Sequence, residues 1–231
     1  MLATLLLACA PVYRFPGPLG SLGQEPAPHV QPDEHSARRR GRESSVVPWE
    51  ADGQVVAMAA AKFVGADCLM VDAERYRWDC SGLVEAAMAA VGVTVKGSGA
   101  DLLAQARELG VVHRRKRPWP GDVAFFDNTW DRNNNGLLDD PLSHVGIVES
   151  VDPDGTITVI HLSSSAGVTR LYMNLGQPDI NVNESGKILN SILRRKQKGD
   201  SLRTRYLAGE LCFGFASFWR ATDAVAEEPQ N

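Results

Sequence analysis

Asp152-Pro153-Asp154-Gly155 stands between two apolar runs, HVGIVESV and TITVIH, and leaves this part of the chain few ways to fold. Asp at the first position, Pro at the second and Gly at the fourth are what a type I turn favours. The flanking runs are then the two strands of an antiparallel hairpin. Centring that hairpin on Pro153 and Asp154 sets His161 opposite Gly146. His144 and His161 then share a face as diagonal neighbours about 7–8 Å apart. A bulge at Gly155 would instead slip the register by one residue and send them to opposite faces.

Upstream the period changes from two to helical. Val55, Val56, Ala59, Ala60 and Phe63 recur at helical spacing and stop at Gly65. In RWDCSGLVEAAMAAVG, Leu83, Val84, Ala87, Met88 and Val91 form a second helical stripe that ends at Gly92. Asp79 is placed as its N-cap, which puts Cys80 in the first turn. Unpaired N–H groups at a helix start favour a thiolate, so the spacing predicts a thiol pKa below the free value of about 8.5 and donors for a developing oxyanion. The bland reading of Cys80 is a small residue buried under the helix. Cys80, His144 and His161 together follow the nucleophile, base and orienting-group logic of acyl transfer. WPGDVAFFD reads as a turn entering a strand over Val123–Phe126, and GELCFGFASFWR as a last strand returning to the sheet.

A chain of 231 residues, 44% hydrophobic, can bury one substantial core. Its net charge of −4 carries no basic excess suited to nucleic acid, and no apolar run approaches the roughly 20 residues of a membrane span. Residues 1–9 resemble a bacterial lipobox, Leu6-Leu7-Ala8-Cys9, in which Cys9 would carry lipid; a chance apolar start is the other reading. Residues 10–48, with six prolines from Pro11 to Pro32 and no apolar periodicity, read as a tether. The folded domain is expected over 49–221, with a polar insertion or flap at about 175–204 and a tail over 222–231.

DCSGLV, PGDVAFF, SHVGIVE and VIHLSSSAGV, in this order, resemble the motifs of the NlpC-type bacterial cell-wall cysteine peptidases. The resemblance implies a papain-like α+β domain, with helices carrying the nucleophile packed on a central antiparallel sheet. It implies Cys80 as nucleophile, His144 as base and acid, His161 as the residue orienting that imidazole, and Tyr76, Asp79 and Ser81 lining the substrate groove. The implied substrates are peptidoglycan stem peptides, cut by a monomer in the exported cell envelope, with membrane contact only through a lipid anchor and no cofactor for the chemistry. Amidase or acyltransferase chemistry on another substrate, and a non-catalytic envelope-binding module, are the alternatives. With Cys9 lipidated and Cys80 free, Cys68 and Cys212 are left as a candidate disulfide.

One stretch stands outside that scheme. Asp131, Asn133 and Asn135 alternate ahead of Gly136 like the start of an EF-hand loop, with the Leu137 carbonyl and Asp139 in the seventh and ninth places. Leu142 replaces the closing Glu, so Asp140 or Asp127 would have to complete a Ca²⁺ shell. A solvated turn-rich loop is the alternative.

Overall fold

A computed structural model describes Val12 and residues 48–221. Three helices lead the domain: α1 (Pro48–Ala61), α2 (Cys80–Ala89) and α3 (Gly99–Glu108). Between the first two lies a short ribbon of β1 (Met70–Val71) and β2 (Glu74–Arg75). The strands β3 (Val112–His113), β4 (Val123–Phe126), β5 (His144–Val151), β6 (Thr156–Ser163) and β7 (Gly167–Asn174) follow, then the single turn α4 (Ala208–Leu211) and β8 (Cys212–Ala216). Six of them form one antiparallel sheet in the order β3-β8-β4-β5-β6-β7. The architecture is the expected α+β one.

Strand alternation sends side chains to two separate cores. Val123, Phe125, Val145, Ile147, Ile160 and Leu162 face the helices, among buried Leu83, Val84, Met88, Leu102 and Leu103. Ala124, Phe126, Val148, Val159, Leu171 and Met173 face the other way, where Ala208 and Leu211 of α4 meet them. The stretch at 175–204, expected as a polar flap, helps roof this second face: Leu175 and Leu193 pack there, and Leu189 is buried. Asn190, fully buried, fastens it by accepting from the amides of Asn174 and Gly209 and donating to the carbonyls of Gln177 and Ile180. Saturating both ends of a buried amide offsets its desolvation. The sequence reading had no element over 99–108, although Ser98 and Asp101 close a full capping box there.

The hairpin register resolves in an unexpected way. Gly155 takes the left-handed conformation, φ 86°, and the turn does shift the pairing by one residue: Val151 faces Ile157 and Ser150 faces Thr158. A second irregularity between Val148 and Ser150 shifts it back, so Val148 faces Val159 and Ile147 faces Ile160. Because the two slips cancel before the histidines are reached, His144 and His161 stay on one face.

Candidate active site

Asp79 caps α2 as expected, its Oδ1 accepting from the Gly82 amide at 2.7 Å and from the Ser81 hydroxyl at 2.9 Å. Cys80 thereby opens the helix, and its sulfur receives the backbone N–H of Val145, the residue after His144. Cys80 is half-buried, and desolvation pushes its thiol pKa up, a tendency the Val145, Ser81 and Cys80 amides oppose. The low thiol pKa expected from the helix start is therefore not what the site provides: desolvation of the thiolate outweighs the amide dipoles.

His144 Nε2 and His161 Nδ1 are 2.9 Å apart, and the rings meet edge to face at 86°. Phe126, paired with His144 across β4 and β5, lies beside it with the ring centroids 6.0 Å apart and the planes tilted by 41°. Burial, followed by the neighbouring His161, lowers the His144 pKa to about 3, and burial lowers that of His161 to about 4. Both rings rest neutral at physiological pH. Gly146 lies between them on the same face. A Cβ there would stand 2.7 Å from the Ile160 carbonyl oxygen and 3.2 Å from the His161 Cβ, so no larger residue fits without moving β6.

Of the expected groove residues, Ser81 is buried, donating to Asp79 and accepting from Arg77. Tyr76 lines a cavity of about 390 Å³ together with Arg75, Arg77, Glu85 and Lys96. Sequence reasoning passed over Arg77, whose guanidinium reaches Ser81, Glu85 at 2.7 Å and the Gly97 carbonyl, tying the approach to α2. It also passed over Trp130, half-exposed, whose indole N–H donates to the Ser143 carbonyl next to His144.

The loop from Asp127 to Ser143 spends its side-chain oxygens on its own backbone. Asp131 accepts from the amides of Asn135 and Gly136, Asn133 from Asn135, and Asn135 from Leu137. Asp139 accepts from the Asn135 side chain at 3.4 Å, and buried Asp140 from the Arg132 amide. Asp127 accepts from Leu142, two residues before His144. Among the described residues, no three His, Cys, Asp or Glu side chains cluster as a metal site.

Cys68 and Cys212 are not partners, contrary to the sequence reading: Cys68 is disulfide-bonded and Cys212 is a free thiol. Cys68 lies in the bend before β1, and Cys212 opens β8 in the six-stranded sheet, where burial drives its pKa up to about 12. Cys9, the residue read as a lipidation site, lies outside the described residues.

Residues 71–162 match the CHAP domain, a cysteine- and histidine-dependent amidohydrolase/peptidase domain, and the stretch contains Cys80, His144 and His161. The matched stretch takes in DCSGLV, PGDVAFF and SHVGIVE and ends inside VIHLSSSAGV. A solved structure from Staphylococcus aureus subsp. aureus Mu50, described as similar to a lipoprotein of the NLP/P60 family, is 18% identical with a TM-score of 0.35. That likeness covers 54% of this chain and 36% of the other. No curated protein matches the chain.

Proposed function

We propose that this chain is a peptidoglycan hydrolase that cleaves amide bonds of stem peptides through Cys80, His144 and His161. The observation that carries the reading is the 2.9 Å contact between His144 Nε2 and His161 Nδ1, on a strand whose next residue, Val145, offers its N–H to the Cys80 sulfur. A His144 that donates its Nε2–H to His161 keeps Nδ1 as the basic nitrogen. Cys80 attacks the carbonyl carbon as its proton passes to Nδ1, and backbone N–H groups at the start of α2 hold the oxyanion. His144 protonates the leaving amine, and then activates the water that releases the acyl group.

The resting pair is a neutral thiol and a neutral imidazole, so the proton moves when substrate arrives rather than beforehand. Arg75 and Lys96 in the cavity beside Tyr76 suit the carboxylates of a stem peptide. An exported, envelope-associated location agrees with such a substrate. Among the described residues no helix is long and apolar enough to cross a membrane.

Digestion of purified peptidoglycan, followed by mass spectrometry of the released muropeptides beside a Cys80→Ala control, tests the proposal. New termini inside the stem peptide are expected with the wild type alone. Products cut between sugar and peptide would make the protein an amidase, which a CHAP domain also accommodates. No product from either protein would refute the catalytic reading. His161→Ala is expected to lower kcat far more than it raises KM, because His161 acts on the base rather than on bound substrate.

A further inference from the structure

A second cavity, of about 430 Å³, is lined by Arg194, Arg203 and Arg205 together with Asp127, just after β4, Glu210 of α4 and Cys212 of β8. It shares no lining residue with the cavity at Tyr76. The sheet register fixes where it lies. Phe126 pairs with Cys212 on one side and with His144 on the other. With about 4.8 Å between neighbouring strands, the Cys212 backbone stands about 10 Å from that of His144. Opposite charges in so small a space gain by collapsing into ion pairs. Here each is held apart. Asp127 keeps Oδ1 on the Leu142 amide, and Glu210 keeps Oε2 on the Tyr206 and Leu207 amides. Arg194 gives Nη1 to the Leu138 carbonyl and Nη2 to Asp200, and its buried Nε–H has no acceptor. Arg203 and Arg205 make no ion pair among the described residues. Two carboxylates anchored by backbone amides and two uncommitted guanidiniums therefore line one cavity without neutralising one another.

We propose that this cavity binds a small zwitterion, a free amino acid or short peptide that carries both a carboxylate and an ammonium. The carboxylate meets Arg203 and Arg205, whose planar guanidiniums suit two-oxygen contact. The ammonium meets Asp127 and Glu210 through the oxygens their backbone anchors leave open. A simple anion would gain from the arginines and be repelled by the carboxylates, and a simple cation the reverse, so only a ligand of both signs profits from the whole lining. Because the two carboxylates are already oriented, binding has little to reorganise on that side. Occupancy also ties the stretch carrying Arg203 and Arg205 to Asp127, which holds Leu142 two residues before His144. The assignment stands independently of the hydrolase reading, since it uses none of Cys80, His144 and His161.

The test is titration of the full chain carrying Cys80→Ala, which prevents turnover, with backbone amide signals followed by NMR. The probes are alanine and alanyl-alanine, each beside its N-acetyl form, which keeps only the carboxylate, and its C-terminal amide, which keeps only the ammonium. Saturable shifts at Asp127, Asn128, Arg203, Arg205, Glu210 and Cys212 are expected with a zwitterionic probe at millimolar concentration, and the stronger of the two distinguishes a free amino acid from a short peptide as occupant. Each blocked form should bind about tenfold more weakly, and an Arg203→Gln, Arg205→Gln variant should lose about tenfold for the zwitterion while its Tm stays that of the parent. Glu210→Gln, whose amide oxygen can still accept from Tyr206 and Leu207, should weaken the zwitterion and leave the N-acetyl form unchanged or tighter. No saturable shift with either zwitterion, shifts confined to other parts of the chain, or equal binding of the free and blocked forms would each overturn the proposal.

Discussion

Lowering the pH from 7 to 5 should cost this domain about 4 kcal/mol of stability through two side chains, His144 and His161. Folding buries both as neutral imidazoles, with pKa values of about 3 and about 4 against an ordinary 6.5. Between those values the unfolded chain binds protons that the folded chain refuses, so stability falls as pH falls. At pH 5 both folded values still lie below the solution pH, and the cost is governed by the distance to 6.5, about 2 kcal/mol for each ring. The carboxylates held low, Asp101, Asp154 and Asp200, lose their contribution only as pH falls toward and below their ordinary 3.8, and the raised thiols matter only above 9, so the window from pH 7 to 5 isolates the imidazoles. Urea unfolding at pH 7, 6 and 5 measures the slope. His161→Asn, which keeps a polar group near Nδ1 but cannot titrate, should remove about half of it, roughly 2 kcal/mol. Equal loss of stability in wild type and variant between pH 7 and 5 would refute the argument.

Alkylation of Cys80 by iodoacetamide should be slow at pH 7 and climb steeply above pH 9, because burial raises the thiol; a rate plateau already reached at pH 6 would show a preformed ion pair instead. Gly146→Ala should destabilise the fold by about 1–3 kcal/mol and lower kcat disproportionately, since the new methyl meets the Ile160 carbonyl and the His161 Cβ. We further propose that the Asp131–Asp140 loop takes Ca²⁺ and steadies the entry to His144. Millimolar Ca²⁺ should then raise Tm in wild type and not in an Asp131→Ala, Asn135→Ala variant, and an unchanged wild-type Tm would leave a hydrogen-bonded turn.

The local chemistry of the site was legible because each signal is short-range: Asp79 as cap, Cys80 at the first turn, and strands beginning at Val123 and His144 all follow from neighbours in sequence. What could not be read depends on tertiary packing. The helix dipole at Cys80 is a local effect, but its desolvation by the fold is not, and the second effect is the larger. The polar stretch at 175–204 reads as a flap because most of its residues face water; the buried Leu189 and Asn190 that attach it are too few to give a period. The paired register slips in β5 and β6 likewise leave no pattern, since the one at Gly155 is a turn signal and the other falls on an ordinary Glu149.

Those two slips impose a rule of parity on how this hairpin can change. Lengths of the turn and of the strand are not independent variables: an insertion or deletion that alters the offset on one side of the histidines is tolerated only if a second, opposite change follows before Ile147. Grafting a tight two-residue turn in place of Asp152–Gly155 would therefore rotate His161 away from His144 while leaving every residue of the site intact in sequence, and deleting Glu149 as well would bring it back. Relatives of this domain should accordingly show loop-length changes here in coupled pairs, and a variant with an odd count would be folded, complete in its motifs and inert.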